Sequence, residues 1–204
     1  MKKTVHAALM LMTIVACNQK TVQQQDEISQ NVNKLFDDYY EKRLQLFPLE
    51  ATAIADKRYN DQLPVDISDS YRGKLKAFYQ KNLEAIAKYD RAALKGQDVL
   101  SYDIFKREMQ MQMEGLTFKD NLMPVNQFWS MHLTFPQLGS GKGNQPFKTV
   151  KDYDDFLKRI SAFVVYQDSV NANMRRGMAG GITPHMFAAT QRHHRKRCER
   201  KLVL

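Results

Sequence analysis

Apolar positions recur along most of this chain at helical rather than strand spacing. Over 24–47 they fall at Ile28, Val32, Leu35, Phe36, Tyr39, Leu46 and Phe47, which draws one helical stripe. Asp26 and Glu27 sit near its positive end, and Phe47-Pro48 ends it, because the residue before a proline is pushed out of the α region. A shorter helix is expected over 49–56, before the turn-forming Tyr59-Asn60-Asp61. The stretch 70–89 carries Tyr71, Leu75, Phe78, Tyr79, Leu83, Ile86 and Tyr89, and stops at Asp90. Asp98 is placed to cap the next helix, which runs to Leu116 with Tyr102, Phe105, Met109, Met113 and Leu116 on one face. The longest helix is expected over 150–178. Tyr153, Phe156, Leu157, Ile160, Phe163, Val164, Gln167, Val170 and Met174 lie largely on one side of it. Asp152, Asp154 and Asp155 in its first turns and Arg175 and Arg176 in its last match the helix dipole. Gly177, Gly180 and Gly181 are expected to stop it, with Pro184 beyond.

Residues 119–149 break this pattern. They lack clear periodicity and contain Pro124, Phe128, Trp129, His132, Phe135, Pro136 and a GSGKGN stretch. A loop this long inside a compact domain usually carries function, and its aromatic content argues against disorder. An irregular excursion packed on the helices is the plainer alternative. The predicted fold is therefore all-α: an irregular multi-helix assembly over 28–184 with one long aromatic loop.

Composition adds a compartment. The chain has 204 residues, 43% of them hydrophobic and 26% charged, close to globular averages. Its net charge of +9 is concentrated at the ends. Setting aside Lys2, Lys3 and the basic stretch 191–204 leaves a nearly neutral body, so a basic nucleic-acid-binding domain is not what the charge describes. Met1-Lys2-Lys3 followed by the apolar run AALMLMTIVA reads as a secretory segment over 1–16, too short to span a bilayer. Ile14-Val15-Ala16-Cys17 resembles a bacterial lipobox. This predicts acylation of Cys17, a polar tether over 17–27, and attachment to a membrane through the lipid. Asn18 after the cysteine resembles outer-membrane-sorted lipoproteins, so the body is expected to face the periplasm. Cys198 is then the one thiol left, set among Arg195, Lys196, Arg197 and Arg200, which favour its thiolate.

Familiar catalytic patterns do not occur. There is no HExxH, GxGxxG, P-loop or GxSxG, and GSGKGN lacks the spacing of a phosphate loop. Met109 and Met113 share a helix face while Met111 points away, so the methionines read as packing rather than a copper site. The adjacent pairs Asp37-Asp38 and Asp154-Asp155 are expected on solvated faces. His132 is the one histidine of the body and a candidate pocket residue. In the tail, His194 and Cys198 stand four apart, but neighbouring positive charges oppose a metal dication.

Several stretches together carry a family resemblance. FPLEATAIADKRYND (47–61), LSYDIFKREM (100–109), LMPVNQFWSMHLTF (122–135) and QPFKTVKDYDDFLKRI…NMRRGMAGGITP (145–184) resemble, in order and spacing, the bacterial domain-of-unknown-function 885 family. The resemblance covers most of the body but only the N-terminal part of the family's usual length. It implies a secreted or lipidated helical protein resembling zinc-dependent peptidases, with a zincin-like fold. The zinc site, an HE-containing helix with a further His, would lie in a C-terminal part, so this chain is expected to hold no cofactor or catalytic residue itself. Arg58, Tyr59, Asn126, Trp129 and His132 are then candidates for one wall of a peptide cleft. Ala55 stands where the family often has Gly. After Pro184 the composition changes abruptly, and 185–204 reads as an atypical basic tail translated out of frame. The expected function is thus that of a truncated N-terminal portion of an envelope peptidase-like lipoprotein, inactive alone. The alternative is a complete lipid-anchored helical binding or scaffold protein.

Overall fold

The computed structural model describes residues 26–126 and 130–182. The expected export segment with Cys17, the expected tether up to residue 25, Trp129, and the expected tail over 185–204 lie outside the described residues, while 26 and 27, expected in the tether, belong to the first helix. Those residues form α1 (26–46), α2 (Pro48–Ala53), α3 (Asp69–Ile86), α4 (Gln97–Gly115), α5 (Met131–Leu138) and α6 (Val150–Ala179), with short 3₁₀ turns at Lys57–Tyr59, Arg91–Ala93 and Asp120–Leu122. No strand occurs among them, so the fold is all-α as the periodicity indicates. No helix among the described residues is long and apolar enough to cross a membrane.

The chain divides into two compact units, 1–42 with 76–115, and 43–75 with 116–204. The first is built on aromatic packing. Phe36 and Tyr39 of α1 meet Phe105 of α4 at centroid distances of 4.9 and 5.0 Å, and Tyr39 stacks on Phe78 of α3 at 5.2 Å. Val32, Tyr79, Ile86, Tyr102 and Met109 fill its core, while Met111 is exposed, as helical spacing requires. Asp90 caps the Arg91–Ala93 turn by accepting from the Ala92 N–H. Asp98 does not cap α4. The helix starts one residue earlier, and the Asp98 carboxylate instead accepts the Ser29 hydroxyl of α1.

The second unit holds α2, α5, α6 and the start of α3. The segment 119–149 is only partly a loop, since it contains the 3₁₀ turn at 120–122 and the eight-residue helix α5. Pro136 lies inside α5 and withholds the N–H that would pair with the His132 carbonyl. Phe135 of α5 stacks on Phe163 and Phe156 of α6 at 4.3 and 5.5 Å, which fixes the short helix against the long one.

α6 starts at a capping box. The Asp152 N–H donates to Thr149 Oγ1 at 3.2 Å, and the Thr149 N–H returns to Asp152 Oδ2 at 2.9 Å. Its far end closes with Gly181 at φ 73°, the Ile182 N–H reaching the Gly177 carbonyl at 2.8 Å. Gly177 is not the stop expected of it. It lies inside the helix, where a Cβ would sit 2.7 Å from the Leu122 carbonyl oxygen, so the glycine permits close approach of the 120–122 turn. The larger correction concerns the faces of α6. Its buried residues are Asp152, Asp155, Arg159, Tyr166, Val170, Asn173 and Gly177, whereas Tyr153, Leu157, Ile160 and Val164 are exposed. The polar stripe therefore faces inward and much of the apolar stripe faces outward. Asp155 is accordingly not on a solvated face: it is 3% exposed and pairs with Lys151, while Asp154 remains exposed.

Candidate functional site

The turn that carries Arg58 and Tyr59 is held from below by one cation. Arg159 of α6 is 0% exposed. Its Nε donates to the Gln62 carbonyl at 3.1 Å and one terminal nitrogen to Gln145 Oε1. The other terminal nitrogen donates to Thr52 Oγ1 at 2.7 Å and the Tyr59 carbonyl at 3.0 Å. The Thr52 hydroxyl lies 3.0 Å from the Pro48 carbonyl and 2.8 Å from Asn60 Oδ1, with one proton to share between them. A single guanidinium thus ties α2, the Lys57–Tyr59 turn and the 139–145 stretch to α6. Burial pulls its pKa down to about 10, against the raising influence of Asp61 and Asp155, so it remains cationic at neutral pH. Gln145 Nε2 is buried there without a hydrogen-bond partner.

Above this anchor, Asp56 caps the turn and clamps Arg58, whose Nε lies 3.1 and 2.9 Å from the two carboxylate oxygens and Nη2 2.6 Å from one. These hydrogen bonds hold the Asp56 carboxyl below the usual range. The guanidinium carbon sits 5.4 Å over the Tyr59 ring. Arg58 and Tyr59 are therefore brought together as a planar, half-exposed surface whose charge is already balanced by Asp56. Asn126 and His132 lie in a different segment, on either side of 127–129. The Ser130 hydroxyl donates to the Asn126 carbonyl at 2.9 Å, and His132 is the second residue of α5, half-buried. Trp129 and Cys17 lie outside the described residues.

The sequence reading missed a second polar centre. The Tyr166 hydroxyl donates to Asp66, whose Oδ1 is buried without a partner. Burial pushes the Asp66 carboxyl up, against hydrogen bonds from Tyr166 and the backbone, and Asp120 adds to the rise. Burial, with the Asp66 charge adding, also pushes the Tyr71 phenol up to about 12; that hydroxyl donates to the Leu46 carbonyl. Close by in sequence, Asn173 donates to the Ile67 and Asn121 carbonyls at 2.9 and 3.0 Å, and Arg176 pairs with Asp69 at 2.9 Å. The signal lay in α6, where 152, 155, 159, 166 and 173 form a polar stripe at helical spacing.

Separately, in the first unit, Asp26, Ser29, Leu94, Lys95 and Asp98 line a recess of about 220 Å³, smaller than ordinary ligand pockets. Among the described residues no group of three or more His, Cys, Asp and Glu side chains is placed to hold a metal ion. Those residues therefore offer no donor set for the zinc that the resemblance implies for longer family members.

No curated protein and no solved structure matches the chain. A family match does exist and covers residues 48–195. It begins at the first residue of α2, takes in the Arg159-anchored turn and all of α6, and runs past Pro184 into the basic tail. Spanning most of the chain, it shows that the protein belongs to the family described as Bacterial protein of unknown function (DUF885).

Proposed function

We propose that this chain is the helical N-terminal portion of an envelope lipoprotein resembling zinc-dependent peptidases. It supplies one wall of a peptide cleft rather than the hydrolytic centre. The observation that carries the reading is the outward apolar face of α6, Val150, Tyr153, Leu157, Ile160 and Val164, which has the character of a surface built to receive a further part of a fold. The Arg58–Tyr59 turn suits a wall, because a buried cation fixes its backbone while its rings and guanidinium stay at the surface. In this reading Cys17 carries the lipid that holds the body at the outer membrane, facing the periplasm. Metal-assisted hydrolysis needs a polarised water and a base, and both come from a segment beyond this chain.

Two measurements test the reading. The purified chain, given fluorogenic peptides and added Zn²⁺, is expected to show no turnover, and metal-dependent cleavage by it refutes the assignment. Translating the source DNA downstream of residue 184 in the other two frames is expected to give a further family-like helix and an HExxH. Neither frame doing so removes the truncation.

A complete lipid-anchored scaffold is the second reading, favoured by the buried hydrogen-bond network around Arg159, which lacks a partner at Gln145 Nε2. A finished scaffold unfolds in one cooperative transition and stays monodisperse, whereas a fragment with an uncovered face aggregates.

A further inference from the structure

The exposed apolar residues of α6 are ordered as well as exposed. Val150, Tyr153, Leu157, Ile160 and Val164 succeed one another at steps of three, four, three and four, the a and d spacing of a coiled-coil seam. They range from 41% exposed at Ile160 to 80% at Val150. The seam turns polar at Gln167 and Asn171; the midpoint of its apolar stretch is Leu157, and the nearest centre that faces a positions with d positions lies between Leu157 and Ile160. We propose that a second copy of this chain occupies this seam, α6 against α6 in antiparallel orientation about that centre. The inference rests on the reading of this face as an interface, and names its occupant when the chain is alone.

Antiparallel pairing about the centre sets Leu157 opposite Ile160 of the other copy and Tyr153 opposite its Val164, with Val150 at each end opposite Gln167. Each apolar layer is then made twice by the two-fold axis, and Asn171 stays outside the contact. Charge at the ends of the seam favours the same orientation, while Lys158, on that flank beside the centre, lies level with its counterpart in either orientation and already contacts Asp61. Lys151 and Asp168 project on the same flank of the seam, about 11 Å before and about 14 Å after its centre at 1.5 Å rise per residue. Both are exposed, and the ammonium of Lys151, already in contact with Asp155, has further donors to give. Reversing one helix brings each Lys151 level with Asp168 of the other copy, twice over. Parallel pairing would instead stack Gln167 on Gln167 and Asn171 on Asn171 and place equal charges at equal heights.

The test uses the full chain with Cys17→Ser and Cys198→Ser, so that introduced cysteines report alone. Tyr153→Cys together with Val164→Cys is expected to give a disulfide-linked dimer on mild oxidation, and Val164→Cys alone very little. Efficient cross-linking by Val164→Cys alone overturns the orientation. In sedimentation equilibrium, Lys151→Glu and Asp168→Lys are each expected to weaken dimerisation about tenfold, and the two together to restore it. Far-UV circular dichroism checks that these surface variants stay folded. A parent chain that sediments as a monomer overturns the pairing. The wider reading is tested apart from it by adding a separately made C-terminal portion of a longer family member. In a chain that sediments as a monomer, protection of Leu157 and Ile160 from surface labelling by that portion sustains the interface without the dimer, and a chain that neither dimerises nor is protected removes both.

Discussion

Replacing Ala55 with glycine should stabilise this protein, and the size of the gain follows from the backbone. Ala55 has φ 63°, in the left-handed region. It follows the end of α2, where the Asp56 N–H reaches back to the Ala51 carbonyl at 2.9 Å and the Ala55 N–H to Thr52 at 3.1 Å. Those two bonds are the closure in which glycine is the usual left-handed residue. α6 ends through the same pair of bonds, and there the residue is Gly181. An L-residue in this region costs about 1–2 kcal/mol relative to the right-handed one. Glycine removes that cost but gives back about 0.4–1 kcal/mol through its freer unfolded chain. Ala55 is exposed, so its methyl leaves no cavity. The net expectation for Ala55→Gly is a gain of about 0.5–1 kcal/mol, or about 1–4 °C in Tm for a chain of this size. Ala55→Val should lose at least about 1 kcal/mol, because a branched Cβ crowds the same carbonyl. Urea unfolding followed by far-UV circular dichroism measures both, with the slope unchanged between variants. A glycine variant no more stable than the parent, or a valine variant as stable as it, would refute the reasoning.

Other expectations follow from the second unit. Arg159→Met should cost about 3 kcal/mol, since it leaves Gln145 Oε1 buried without a donor and takes the donor from the partly buried Gln62 and Tyr59 carbonyls, and Arg159→Lys should recover only part of that loss in the same urea assay. Thr149→Ala should cost about 1 kcal/mol by opening the capping box of α6. Asp66 sets a pH dependence. Its carboxyl is raised by burial, so its favourable contribution is complete below the unfolded value of about 4 and is lost as pH rises through the folded value. Asp66→Asn should therefore gain stability relative to the parent as pH climbs from 4 to neutrality, and unfolding curves that move in parallel across that range would contradict this.

The sequence conveyed helix positions well because strong apolar periodicity and proline punctuation operate locally. Its α1, α3, α4 and α6 agree with the structure to within a few residues at each end. It missed α5 because Pro136 and the neighbouring glycines read as loop, while what holds that helix is tertiary, the stacking of Phe135 on Phe163 and Phe156. It also took the apolar side of α6 as the informative one. Which side a helix buries depends on what the rest of the chain offers, and here the 59–67 segment presents carbonyls and a carboxylate that suit Arg159, Asn173 and Tyr166. The surroundings of Arg58 and Tyr59 were legible only in part for a similar reason. Arg58 and Tyr59 are neighbours in sequence and share a turn, but the clamp from Asp56 that balances Arg58 depends on local backbone geometry that residue type does not reveal.

The inward polar and outward apolar arrangement of α6 has a consequence for how chaperones read the folded chain. Holdase chaperones distinguish nascent from finished clients by oily segments that folding hides. Along α6 folding hides the hydrophilic stripe instead, so a chaperone that reads apolar surface would still find Leu157 and Ile160 after the internal hydrogen bonds have formed, unless another surface covers them.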